Sequence, residues 1–115
     1  MTLEFSERPW GSYQVLHSTA QAQVKEIKVK AGSRLSYQTH QKRAEHWFIV
    51  QGPAIVTIDG QTKTLVAGDS VDIGIGVAHR MAAPTDNDVV FIEVQTGTYF
   101  GEDDIVRLED DFGRS

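Results

Sequence analysis

Short runs in which apolar and polar residues alternate recur along this chain, and turn-forming residues punctuate them at close spacing. Strand side chains point to alternate faces, so period-two alternation marks half-buried β-structure. The pattern predicts strands over Ala22–Val29, Arg34–Gln38, Glu45–Gln51, Ala54–Ile58, Gln61–Val66, Ser70–Ile73, Arg80–Ala83 and Val89–Gln95. Asp59-Gly60 lies between two alternating segments and predicts a two-residue hairpin. Ala31-Gly32, Gln51-Gly52-Pro53 and Ala67-Gly68-Asp69 mark further turns. The glycines of Ile73-Gly74-Ile75-Gly76 let the backbone turn sharply before His79. Many short strands at this spacing point to a sandwich or barrel. The expected fold is all-β, one domain with its core between about residues 8 and 100. The last stretch, 101–115, is sparse in apolar residues and carries Glu102, Asp103, Asp104, Glu109, Asp110 and Asp111. It is read as a short helix or an ordered loop laid across the barrel mouth.

Composition narrows the function classes. A chain of 115 residues with 40% hydrophobic residues supports one core and not two. A net charge of −5 argues against nucleic acid or an anionic membrane as the main partner. With no cysteine, a disulfide framework and a thiolate metal site are both excluded, and the expected compartment is the cytoplasm. Met1 to Trp10 holds Glu4, Glu7 and Pro9 with no long apolar core, so it does not read as a signal peptide. No run approaches the roughly 18 apolar residues of a membrane helix.

The most informative stretch is Gln38-Thr39-His40-Gln41-Lys42-Arg43-Ala44-Glu45-His46-Trp47. Arg34, Ser36, Gln38 and His40 share one parity, so an extended segment would point all four the same way. A polar row on the inner face of a barrel is hard to explain as packing. Glu45 shares parity with Trp47 and Ile49, while His46 and Phe48 face the other way. A hairpin between the two strands brings His40 close to Glu45. Divalent metals accept imidazole and carboxylate ligands, and an amide adds a carbonyl oxygen. Taken alone, His40 and Glu45 read better as surface residues of an ordinary hairpin than as ligands. The polar row and the later His79 shift the balance toward a metal.

The order and spacing of these residues resemble the two motifs of the cupin superfamily. The first reads Gly32, Gln38-x-His40, Glu45 and Gly52, with Gln38 in place of the usual first histidine. The second reads Gly68, Gly74-x-Gly76, His79 and Ala83, with Gly74 for the usual proline and Ala83 for the usual asparagine. The resemblance narrows further. Arg8-Pro9-Trp10-Gly11, the block from Leu35 through Gln38-x-His40-x-x-Arg43-x-Glu45-His46-Trp47, and Gly101-Glu102-Asp103-Asp104-Ile105-x-Arg107 are similar to the C-terminal cupin domain of type II phosphomannose isomerases. It runs from about Arg8 to Arg114, and Tyr37 stands where that family usually has an aliphatic residue. The nucleotidyltransferase domain that often accompanies it is absent from this sequence, so no sugar-nucleotide synthesis is carried over.

The resemblance implies a double-stranded β-helix and interconversion of mannose 6-phosphate and fructose 6-phosphate through an enediol. It implies one divalent ion, zinc first, with manganese, cobalt, nickel or iron as alternatives. Its ligand set would be Gln38, His40, Glu45 and His79. Lys25 shares parity with Ile27 and Val29; it would bind phosphate or serve as base, and otherwise it is a lysine snorkelling near a strand end. Arg34, on the ligand row, would grip phosphate or stabilise enediolate charge, and otherwise forms a surface ion pair. Arg43, Arg107 and Arg114 are further phosphate candidates. His46 is expected to be structural, Trp10 and Trp47 core or cavity wall, and His17 a surface residue. Phe48 and Val50 on the outward parity suggest a homodimer interface. Two competing functions remain at this point: a non-catalytic sugar-phosphate-binding or regulatory cupin, and an iron-dependent dioxygenase.

Overall fold

The computed structural model describes residues 3–113. Eleven strands form two antiparallel sheets, with no helix among the described residues. In chain order they are β1 (Phe5–Arg8), β2 (Gly11–Ser18), β3 (Ala22–Val29), β4 (Tyr37–Thr39), β5 (Arg43–Gln51) and β6 (Ala54–Ile58). There follow β7 (Gln61–Leu65), β8 (Ser70–Ile73), β9 (His79–Ala82), β10 (Val89–Gly97) and β11 (Val106–Glu109). One sheet has the order β1-β2-β3-β10-β5-β8 and the other β11-β4-β9-β6-β7. Distant strands lie side by side in both, which is the double-stranded β-helix that the sequence resemblance implies. No helix is long and apolar enough to cross a membrane among the described residues.

Alternation decides what the barrel encloses. Buried and exposed positions alternate along β3, β5 and β10. Ladder register then sets the inward side chains in rows. Phe91 pairs with Ile27 on one side and Ile49 on the other. The next inward row is Lys25, Glu93 and Trp47. The row beyond it holds Gln95 and Glu45. One end of the barrel is thus an apolar plug of Ile27, Val29, Ile49, Ala54, Val56, Met81, Val89 and Phe91, all buried. Full burial of one such large side chain is worth roughly 1.5–3 kcal/mol. The other end is lined by polar and charged groups that the same sheets hold in place.

Several element expectations hold. β3, β6 and β8 have the bounds that the alternation predicts, and Asp59-Gly60 joins β6 to β7 with φ of 50° and 78°. Both values are positive, as a tight primed hairpin turn requires. The strand expected over Arg34–Gln38 is shorter and shifted. Arg34 makes only an isolated bridge to Ala82, and the ladder begins at Tyr37. The cause is local: Arg80 Nε donates to the Leu35 carbonyl at 2.9 Å, so a side chain takes an acceptor that a β9 amide would use. The hairpin β1–β2 is additional to the predicted set. Its apolar signal is only Tyr13 and Val15 inward, broken by a bulge between Val15 and His17. The tail is neither helix nor plain loop over its second half. Val106–Glu109 forms β11 and pairs with β4, covering that edge.

Candidate metal centre

His40, Glu45 and His79 converge on one point inside the hollow end. Each offers a ligand atom within 4.8 Å of the others, and all three are buried. His40 follows β4, Glu45 lies on β5 and His79 opens β9, so both sheets contribute. His40 Nε2 is 3.2 Å from one Glu45 oxygen and His79 Nε2 is 3.6 Å from the other.

The far nitrogens of the two rings decide what the near ones can do. His40 Nδ1 lies 2.6 Å from the Asp104 carbonyl and His79 Nδ1 2.9 Å from the Val77 carbonyl. A carbonyl only accepts, so each Nδ1 carries the proton and each Nε2 is left with a lone pair. Burial, and next the Arg43 guanidinium, push the His40 pKa down to about 4. Burial likewise lowers that of His79. Two neutral imidazoles therefore present lone pairs toward a carboxylate. That donor set suits a cation, and the carbonyl-anchored tautomers are those that ligating histidines adopt. The residues fit a divalent ion, held by His40, Glu45 and His79. Gln38 lines the same cavity, cross-strand from His79, and adds an amide oxygen within the wall.

Arg43 supplies positive charge at this point. Its Nε donates to Glu45 at 2.9 Å and its Nη2 lies 3.2 Å from His40 Nε2. An imidazole nitrogen has one lone pair, so ligation by His40 and this arginine contact are mutually exclusive. The Arg43 guanidinium is 6% exposed, and its Nη1 has no hydrogen-bond partner among the described residues.

The surrounding cavity measures about 60 Å³. Its wall includes Lys25, Glu93, Trp47 and Tyr13 from one sheet, Gln38 from the other with Ser36 just before its strand, and Glu102, Ile105 and Arg107 from the tail. Lys25 is buried, bonds Glu102 at 2.8 Å and sits 4.2 Å above the centre of the Tyr13 ring. The Trp47 indole N–H reaches both Glu45 at 3.0 Å and Glu93 at 3.2 Å, and Gln95 donates to Glu93. Burial, and next the neighbouring Glu45 carboxylate, raise the Glu93 pKa to about 7.

The wall holds Gln38, His40, Glu45, His79, Lys25, Arg43 and Arg107 together. It does not include Arg34. That side chain is 41% exposed and makes a two-pronged pair with Asp111, at 2.6 and 2.8 Å. Parity fails there because the strand starts only at Tyr37. Arg114 lies outside the described residues. His46 faces away from Glu45, as its parity requires, and bonds Asp72 at 2.6 Å. Trp10 and Trp47 are buried on the cavity wall, and His17 is exposed.

Comparison with known proteins settles the lineage. The family described as mannose-6-phosphate isomerase C-terminal matches residues 3–110. The chain belongs to that family. Among relatives, the alginate biosynthesis protein AlgA of Pseudomonas aeruginosa is 51% identical over 108 residues, 94% of this chain and 22% of AlgA. The xanthan biosynthesis protein XanB of Xanthomonas campestris is 47% identical over 108 residues, 94% of this chain and 23% of XanB. The mannose-1-phosphate guanylyltransferase ManC of Salmonella typhimurium is 46% identical over 107 residues, 93% of this chain and 22% of ManC. The chain thus spans about a fifth of the length of these relatives. Among solved structures, an RmlC-like cupin from Shewanella frigidimarina superposes with a TM-score of 0.75 at 24% identity, covering 88% of this chain and 87% of that one. The capsular polysaccharide assembling protein CapF of Staphylococcus aureus gives 0.78 at 22% identity, covering 95% of this chain and 32% of CapF. These structural likenesses show the cupin fold.

The sequence alone gives no site role to Glu93 or the Asp104 carbonyl, and Glu102 reads there only as part of an acidic run that fixes the tail. Glu93 was within reach: it shares parity with Val89 and Phe91 on a predicted strand. The other two depend on how the tail docks, which no local pattern encodes.

Proposed function

We propose that this domain is a metal-dependent isomerase that interconverts mannose 6-phosphate and fructose 6-phosphate. The observation that carries the reading is the juxtaposition of two tautomer-fixed histidines and a carboxylate with buried cations, Lys25 and Arg43, on one cavity wall. A bound divalent ion, most suitably zinc, would polarise the sugar's carbonyl and hydroxyl oxygens. His40, Glu45 and His79 would hold it, with Gln38 as a fourth donor.

The chain's own residues supply the rest. Lys25 and Arg43, with Arg107 on the same wall, bind and orient the phosphate. Glu93 carries the proton between C2 and C1 of the sugar. It is the buried carboxylate of the wall that is not among the proposed metal ligands, and the Trp47 indole N–H fixes its direction. A carboxyl that changes state near neutrality both accepts and returns a proton at working pH. The buried indole and apolar plug beneath exclude water from that transfer. Phe48 and Val50, both nearly half exposed on the outer face of β5, support pairing of two copies.

A second reading is a non-catalytic sugar-phosphate-binding cupin. It is favoured by Gly74 and Ala83, which stand where the cupin motif usually has proline and asparagine. NMR of metal-loaded protein with mannose 6-phosphate in D₂O separates the two. Fructose 6-phosphate is expected to appear, with deuterium at the carbon that gains the proton, and His40→Ala is expected to abolish it. Line broadening of the sugar without turnover, with zinc, manganese, cobalt, nickel and iron each tried, would favour the binding protein.

A further inference from the structure

Lys25 and Arg43 are fixed on the inner face of one sheet, and while Arg43 Nε and Nη2 are taken by Glu45 and His40, Lys25 Nζ and Arg43 Nη1 both face one carboxylate that arrives from the tail. Lys25 Nζ makes its one hydrogen bond among the described residues to Glu102, at 2.8 Å. Arg43 Nη1, buried and without a hydrogen-bond partner there, lies 3.6 Å from the same Glu102 oxygen. The two cations are 4% and 6% exposed, whereas Glu102 is 46% exposed. The cations are therefore built into the wall, and the anion is the part that can leave.

We propose that Glu102 is the resident counter-ion of an anion subsite made by Lys25 and Arg43, and that a substrate's phosphate binds by displacing it. The inference rests on the sugar-phosphate reading only for the identity of the anion. Three observations support it. A carboxylate and a phosphate offer the same kind of oxygen acceptors to ammonium and guanidinium groups. A cavity of about 60 Å³ is far below the roughly 300 Å³ at which small-molecule pockets begin, so part of the wall must move to admit a sugar phosphate. Glu102 also sits on a turn whose backbone is anchored next door. The Asp104 carboxylate accepts from the Gln41 and Lys42 amides at 3.0 Å each, and the Asp104 carbonyl accepts from His40. The Glu102 side chain swings outward while the strap stays attached.

Electrostatics agrees with the geometry. Burial pushes the Glu102 carboxyl up, but Lys25, by charge and hydrogen bond, and then Arg43 outweigh it and hold the carboxyl below its usual value. The carboxylate is charged at neutral pH and competes with any incoming anion. Glu102 then sets specificity: a neutral sugar cannot displace it, and a phosphorylated one can.

The test is inorganic phosphate titrated calorimetrically into the chelator-treated 115-residue chain, so that no metal takes part. Glu102→Gln keeps the shape and removes the charge; it is expected to bind phosphate about three- to tenfold more tightly than wild type. Glu102→Ala is expected to move in the same direction, and Lys25→Met in the Glu102→Gln background to abolish the gain. Unchanged or weaker phosphate binding in both Glu102 variants would overturn the proposal, leaving Glu102 as a tether of the tail. No phosphate binding to any variant would overturn the subsite itself. The isomerase reading is judged separately by turnover: a chain that binds phosphate as described but never isomerises mannose 6-phosphate sinks that reading and keeps this one.

Discussion

Glu93 is a buried carboxylate on the cavity wall, and that burial has consequences for both stability and the proposed chemistry. Its carboxyl has a folded-state pKa of about 7 against an ordinary value of 4.5. Below 4.5 both folded and unfolded chains hold the proton, and the group costs nothing. As pH rises from about 4.5 to 7 the unfolded chain releases the proton first, so folding is progressively disfavoured. Above 7 the cost is constant. In metal-free protein, Glu93→Gln is expected to be more stable than wild type at pH 8 by on the order of a few kcal/mol, with the gap closing toward pH 4.5. Denaturant melts at several pH values measure this, and parallel stability curves would refute it. The same variant is expected to lose about 10²- to 10⁴-fold in kcat on mannose 6-phosphate with little change in KM. Residues of this kind were legible only in part. Parity put Lys25 and Glu45, on well-predicted strands, and Gln38, on the part of its strand that forms, on the wall, as found. Parity misplaced Arg34, because a side-chain bond from Arg80 breaks the strand between Arg34 and Tyr37.

Elements with strong turn punctuation were read closely, and those held by distant partners were not. β6 and β7 are joined by Asp59-Gly60, whose conformation is encoded in two residues. β11 has its outward Val106 and Leu108 exposed and exists because β4 offers an edge 67 residues earlier in one register pair, Val106 with Thr39. No window of sequence contains that information. The opening hairpin shows the same dependence through a glycine. Gly11 has φ of 154°, and a Cβ there would meet the Lys28 carbonyl oxygen at 1.9 Å. Backbone cannot yield as a side chain tip does. Gly11→Ala is therefore expected to cost about 3 kcal/mol or more, by loss of the β2–β3 contact. Chemical denaturation reads it, and a cost below about 1 kcal/mol would show that the strand can shift.

At the scale of the whole molecule, the barrel separates stability from chemistry: an apolar floor at one end, a charged hollow at the other, both held by the same strands. Its outer face is less complete. Phe48 is 44% exposed and Val50 47% exposed on β5. Sedimentation is expected to give a dimer that Phe48→Glu reduces to monomer without unfolding the chain; a monomeric wild type would remove that face from consideration. One bond joins the tail to the candidate metal centre. His40 gives one nitrogen to the Asp104 carbonyl and would give the other to the ion, across 64 residues of sequence. A carbonyl that fixes a ligating imidazole in this way changes metal affinity by roughly 10- to 100-fold. Thermodynamic linkage makes the exchange reciprocal. Binding of an ion there would tighten the docking of the tail by the same factor that tail docking tightens the ion, so each would report the loss of the other.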